Sequence, residues 1–189
     1  MTNLYAPELG VINLKNTYQL NTVVETGCYQ GHGLEFARSI GIQSLYSCDI
    51  NQTYVNNCRN KFPGADIRHL DSVSFLKEVL PTINEKTLFW LDAHYPIHYG
   101  LDHEDHITKF PLVEELKLLK SLKKNLEQDV IICDDLRVLL PDENPYYNPS
   151  VGQQFLVDYT IKNLTEVLED THNHYLVSVD TGNLIFIPR

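Results

Sequence analysis

The amino-acid sequence predicts an α/β protein built on a doubly wound, mostly parallel sheet that ends in an antiparallel hairpin. Three observations carry this. Short apolar or β-branched runs alternate with longer segments of helical period, the pattern produced when crossover helices join parallel strands. A glycine-rich turn follows the first of those runs, where a strand must give way to a helix. Near the C-terminal end, two strand-like runs are separated only by Thr181-Gly182, a hairpin pattern.

Taken in order, residues 1–20 form an expected helical lead, with Ile12, Leu14, Tyr18 and Leu20 available to pack against the sheet. The expected strands span 22–26, 43–48, 66–70, 87–92 and 129–134. Between them Val73, Leu76 and Leu80 recur at helical spacing, as do Leu112, Leu116 and Leu119, so each set shares one helix face. Val157, Ile161, Leu164 and Leu168 read as a third such face, and Tyr175 to Asp180 and Asn183 to Ile187 as the hairpin strands. Two long connections, 93–110 and 139–152, follow expected strand C-termini. Ligands bind at that edge of an open α/β sheet, so both are read as lid or substrate loops.

At 189 residues and 43% hydrophobic, the chain suits a single domain, 1–189, with one sizeable core. Asp and Glu number 25 against 15 Lys and Arg, a formal charge of −10. That balance disfavours a grip on phosphate backbones, so a small-molecule acceptor, possibly a sugar, is expected and nucleic acid is not. The oligomeric state is left open. Cys28, Cys48, Cys58 and Cys133 form no C-x-x-C pair and read as reduced, buried thiols. No run reaches the roughly 18 apolar residues of a membrane span, and no basic leader is visible, so a cytoplasmic protein is expected. Lys117, Lys120, Lys123 and Lys124 read as a solvated helix face.

Chemistry concentrates at strand ends. Strand one runs into Glu25-Thr26-Gly27, followed by Cys28, Tyr29, Gly31 and Gly33, a turn that allows close backbone approach to a ligand. Its G-x-x-x-G-x-G spacing departs from the dinucleotide fingerprint G-x-G-x-x-G. Strand two ends in Asp49-Ile50, where an acceptor-only carboxylate can bind paired hydroxyls. Strand three is followed by Asp71-Ser72. Either residue could instead cap the helix that begins near Val73, just as Asn51 could cap the one after strand two. Strand four leads into Asp92-Ala93-His94 and strand five into Asp134-Asp135. Carboxylates crowded at one edge repel unless a cation neutralises them, and oxygen ligands suit a hard cation such as Mg²⁺. The plainer alternatives are that Asp134 or Asp135 caps a turn or pairs with Arg137, and that His94 is an ordinary loop histidine.

In the order of these motifs, residues 20–189 resemble class I S-adenosylmethionine-dependent methyltransferases, which have a Rossmann-like sheet. The resemblance implies a cofactor site at Glu25, Gly27, Cys28, Tyr29, Gly31, Asp49, Ile50, Asp71, Ser72 and Asp92. In it Asp49 would hold the ribose hydroxyls, and Asp71 with the following backbone would read the adenine edge. The acids after strands four and five are similar to those of metal-dependent O-methyltransferases of the catechol and macrolide-sugar types, implying Asp92, Asp134 and Asp135 as ligands for Mg²⁺. Methylation of a hydroxyl on a sugar or catechol-like diol would follow, with Asp92 and His94 as catalytic residues and His94 as general base or outer support of the metal. His98, His103 and His106 in the first long loop could bind a second metal or cover the acceptor, and Tyr146 and Tyr147 in the second offer apolar faces to it. Two other classes stay open: a nonenzymatic nucleotide-binding module that recognises a partner, and an NAD-dependent oxidoreductase. The glycine spacing and the lack of a Tyr-x-x-x-Lys pattern argue against the second.

Overall fold

The computed structural model describes residues 6–93, 111–134, 160–177 and 182–189. In chain order the elements are α1 (Ala6–Tyr18), β1 (Thr22–Thr26), α2 (His32–Ser39), β2 (Ser44–Asp49), α3 (Gln52–Lys61), β3 (Asp66–His69), α4 (Ser72–Val79), β4 (Thr87–Leu91), α5 (Leu112–Leu122), β5 (Val130–Cys133), α6 (Ile161–Leu168), β6 (His172–Val177) and β7 (Asn183–Pro188). They build one seven-stranded sheet in the order β3-β2-β1-β4-β5-β7-β6. Pairings among β1 to β5 are parallel, while β7 runs antiparallel to both β5 and β6.

The mostly parallel, doubly wound expectation therefore holds, and the cause is visible in the strands. Val23, Leu45, Leu88, Val130 and Ile132 point to one face, where α1, α2 and α3 cover them with Val11, Leu34, Ala37, Val55 and Cys58. Val24, Phe89, Leu91, Ile131 and Cys133 point to the other, against Phe75 and Leu76 of α4, Leu116 and Leu119 of α5, and Leu164 and Leu168 of α6. Both faces are buried, so the central strands are apolar on both sides. The four cysteines are free and buried in these two cores.

The expected N-terminal helix is α1, which lays Val11, Leu14 and Tyr18 on the first face. It stops where Gln19 turns to φ 58° and the Leu20 N–H donates back to Lys15 O at 3.0 Å. Asn51 caps α3, its side chain accepting from the Thr53 and Tyr54 N–H groups.

Val157, the first residue of the third expected helix face, lies outside the described residues; α6 begins at Ile161, capped by the hydroxyl of extended Thr160 (φ −95°, ψ 151°). Two expectations need correction. The first hairpin strand begins at His172 rather than Tyr175. Polar His172 and Asn173 carry no strand pattern, yet they pair with Pro188 and Ile187 across the ladder. Lys123 is not on a solvated helix face. It lies just past α5, and its fully buried ammonium meets the Asp129 carboxylate at 3.0 Å. Lys117 and Lys120 do face solvent, paired with Glu114 and Asp170. The two long loops and the hairpin tip at 178–181 lie outside the described residues, apart from Ala93. Among the described residues, no helix is long and apolar enough to cross a membrane.

Candidate functional site

Strand β1 lies between β2 and β4, so its C-terminal end opens at the point where the chain reverses its direction across the sheet, the usual ligand crevice of this architecture. There the glycine loop is clamped by backbone. The Gly27 and Cys28 N–H groups both donate to Cys48 O, at 3.0 and 2.8 Å, and the Asp92 N–H donates to Thr26 O at 3.2 Å. Gly27 has φ 85°, and a Cβ there would sit 2.8 Å from the Asp92 carbonyl oxygen. Only glycine lets the loop lie directly on the end of β4. Gly31, at φ 79°, opens α2, and a Cβ on it would press against Phe62 and Cys58. A Cβ on Gly33 would collide with the Glu25 carboxylate.

Register then lays out a polar row one layer below the loop. Ser47, Glu25 and Trp90 are neighbours across β2, β1 and β4. The Ser47 hydroxyl donates to Glu25 Oε2 at 2.8 Å in a fully enclosed pair. Burial pushes the Glu25 carboxyl up to about 8, with the Asp92 and Asp49 charges adding to the shift and the Ser47 hydrogen bond opposing it.

Asp49 ends β2 in the same crevice. Its Oδ2 accepts from the Tyr29 N–H at 2.9 Å and its Oδ1 from the Asn51 N–H at 2.8 Å, so the carboxylate joins the glycine loop to the start of α3. Burial raises its pKa while those two N–H groups and the Cys28 thiol hold it down. Each oxygen retains acceptor capacity for hydroxyls. Tyr29, held at φ 40°, packs edge-on against Tyr54 at 4.9 Å between ring centroids, and the Ile50 carbonyl accepts from His69 Nε2 at 2.9 Å.

Asp71 does cap a helix: its Oδ1 accepts from the Ser74 N–H at 2.8 Å, with buried Ser72 as the first residue of α4. The cap and the adenine-side expectation draw on the same carboxylate.

At the other side of the crevice, Leu91 and Cys133 are register partners, so Asp92 and Asp134 leave adjacent strand ends together. The Asp134 N–H donates to Leu91 O at 3.1 Å. Its Oδ2 accepts from the Trp90 indole N–H at 3.2 Å, and its Oδ1 from the Asn183 amide at 2.7 Å. Asp135 and His94 lie outside the described residues. Among the described residues, no group of three or more His, Cys, Asp or Glu side chains is placed to hold a metal ion. Asp92 and Asp134 are nevertheless adjacent oxygen donors of the type a hard cation takes, and Asp134 carries the supporting hydrogen bonds usual for a ligating carboxylate.

Ser47, Trp90 and Asn183 escaped the sequence reading. Nothing local marks them; only the cross-strand register brings them to the acids.

No family model and no curated protein matches the sequence. Solved structures do. A Podospora anserina methyltransferase, PaMTH1, bound to SAH (S-adenosylhomocysteine), superimposes with a TM-score of 0.61 at 14% identity, covering 97% of this chain and 78% of that one. The O-methyltransferase TomG of Streptomyces achromogenes, in complex with SAM (S-adenosylmethionine), gives 0.61 at 15% identity, over 98% and 82% of the two chains. The chain has the Rossmann-like methyltransferase fold. An O-methyltransferase from Bacillus cereus in complex with SAH agrees, with a TM-score of 0.59 at 11% identity over 99% and 84%.

Proposed function

We propose that the protein is an S-adenosylmethionine-dependent O-methyltransferase acting, with help from a divalent cation, on a small hydroxylated acceptor such as a sugar or a catechol-like diol. The observation that carries the reading is the Asp49 carboxylate, gripped by the glycine-loop and α3 backbone beside a Gly27 turn too tight for any side chain. Solved structures of the same fold, TomG and the Bacillus cereus enzyme, hold SAM and SAH.

When bound, S-adenosylmethionine supplies a methyl group on a cationic sulfonium; in-line attack by an acceptor oxygen forms the O–CH₃ bond and leaves the S–CH₃ electron pair on a neutral thioether. The chain's residues would divide the remaining work. Asp49 would accept from the ribose hydroxyls, and Gly27, Cys28, Tyr29 and Gly31 would bring backbone close to the ligand. Asp71, with the Ser72 backbone, would take the adenine edge, with Ile50 on the same side of the site. Glu25, buried under Gly33, would place a carboxyl near the cationic ligand.

Asp92, Asp134 and Asp135 would hold Mg²⁺ or a similar cation, which would lower the pKa of the acceptor hydroxyl. His94 would receive the proton that the hydroxyl loses. Calorimetric titration with S-adenosylmethionine, with and without Mg²⁺, followed by an acceptor screen with and without chelator, tests the reading. Chelator-sensitive methyl transfer is expected. Cofactor binding without transfer to any hydroxylated acceptor would replace it with a nonenzymatic binding module.

A further inference from the structure

One peptide group beside the crevice is held at both of its polar ends. Asp49 closes β2, Ile50 follows, and Asn51 caps α3 from an extended conformation (φ −94°, ψ 109°). The α3 ladder starts with the bond from the Val55 N–H to Asn51 O, so the peptide between Ile50 and Asn51 lies outside it and takes no hydrogen bond from the helix. Two side chains hold it instead. Its N–H donates to Asp49 Oδ1 at 2.8 Å, and its carbonyl oxygen lies 2.9 Å from His69 Nε2. A carbonyl only accepts, so His69 Nε2 carries a proton and donates it to this bond.

Register brings His69 there. It is the last residue of β3 and the parallel partner of Asp49 at the end of β2. In a trans peptide the C=O and N–H point in opposite directions, so the His69 ring and the Asp49 carboxylate grip the same plane from its two edges. A donor on the carbonyl also polarises the peptide and strengthens what its N–H gives to the carboxylate. The second Asp49 oxygen is held by the Tyr29 N–H at 2.9 Å, so the carboxylate takes its orientation from the glycine loop on one side and from this peptide on the other. His69 itself is exposed, and its loss removes a donor rather than core packing.

We propose that His69 is a positioning residue of the cofactor site: through the Ile50–Asn51 peptide it sets the Asp49 carboxylate in the orientation that takes the paired ribose hydroxyls. The proposal rests on the S-adenosylmethionine reading above. It adds to that reading a residue of β3 that acts on the ligand through another group.

The test is calorimetric titration of the full chain with S-adenosylhomocysteine, with folding checked by urea denaturation. His69→Leu removes the donor and should weaken S-adenosylhomocysteine about three- to tenfold, the range of one hydrogen bond. His69→Gln, whose amide can place an N–H near the Nε2 position, should restore affinity to within about twofold of the parent. In an Asp49→Ala background, His69→Leu should change affinity by less than about twofold, because the group that His69 positions is gone; a merely structural role would give the same loss in both backgrounds. His69→Ala serves if the leucine variant does not fold. Parent affinity in a folded variant without the donor, equal losses in the leucine and glutamine variants, or equal losses with and without Asp49 would overturn the proposal and leave the cofactor reading intact. A parent protein that binds no S-adenosylhomocysteine would overturn both.

Discussion

At the residue scale, the crevice contains two carboxyls with opposite demands. Asp49 is held by two backbone N–H groups and keeps acceptor capacity for a ligand, so Asp49→Ala should weaken S-adenosylmethionine by about 10- to 100-fold in calorimetry, the loss of a charged hydrogen-bonding partner. Glu25 is enclosed, and burial raises it to about 8. Its folded pKa lies above the unfolded value, so the stability it contributes is complete below about 4.5 and is lost as pH rises through about 8. Unfolding free energy of the parent should therefore fall relative to Glu25→Gln across that window, with a slope approaching about 1.4 kcal/mol per pH unit, measured by urea denaturation at a series of pH values. Parallel pH profiles would show that Glu25 is ionised throughout. Asp49 could be picked out in the sequence because an acid at a strand end has a local pattern. The partner of Glu25 could not, since Ser47 reaches it through strand register rather than sequence proximity.

Elements succeeded or failed in the sequence according to how local their causes are. The four strands that open or centre the parallel sheet begin and end within a residue or so of their apolar runs, because burial on both faces writes them plainly. β6 was misjudged at its start because its first residues, His172 and Asn173, are strand only by pairing with β7. Lys123 was misjudged because the helix ends one residue earlier and the extended chain carries the ammonium inward to Asp129. That pair pins the N-terminal edge of the sheet. Asp129 Oδ1 accepts from the Thr87 N–H at 2.8 Å, and the Asp129 carbonyl accepts from buried His172 at 3.1 Å. A carbonyl cannot donate, so His172 Nε2 carries a proton, while Nδ1 lies 2.8 Å from the Thr171 hydroxyl. Burial pushes Asp129 up to about 7 against the pull of Lys123. Lys123→Met should cost about 3–5 kcal/mol in urea denaturation by stranding a buried carboxylate, with cofactor affinity unchanged. Asp71 belongs to this scale as well: Asp71→Ala should cost about 1 kcal/mol through the lost cap, whereas Asp71→Ser keeps a cap. A fall in cofactor affinity for Asp71→Ser at unchanged stability would separate ligand binding from capping.

At the scale of the whole molecule, one arrangement explains why acids scattered from Glu25 to Asp134 come to one edge of the sheet. The strand order brings the C-terminal ends of β2, β1, β4 and β5 side by side, and each of those ends carries an acid or leads straight into one. The alternation of strands and helices made that order legible, and with it the acids that the order brings to one edge. Trp90 and Asn183 were not legible beside them, because they reach Asp134 only through pairings between distant segments. The central claim is that the crevice beside Gly27 and Asp49 takes S-adenosylmethionine. Calorimetric titration of the purified chain with S-adenosylmethionine and, separately, with NADH addresses it most directly. Saturable binding of S-adenosylmethionine at one site per chain, weakened in Asp49→Ala, is the expected result; saturable NADH binding with no heat from S-adenosylmethionine would contradict it.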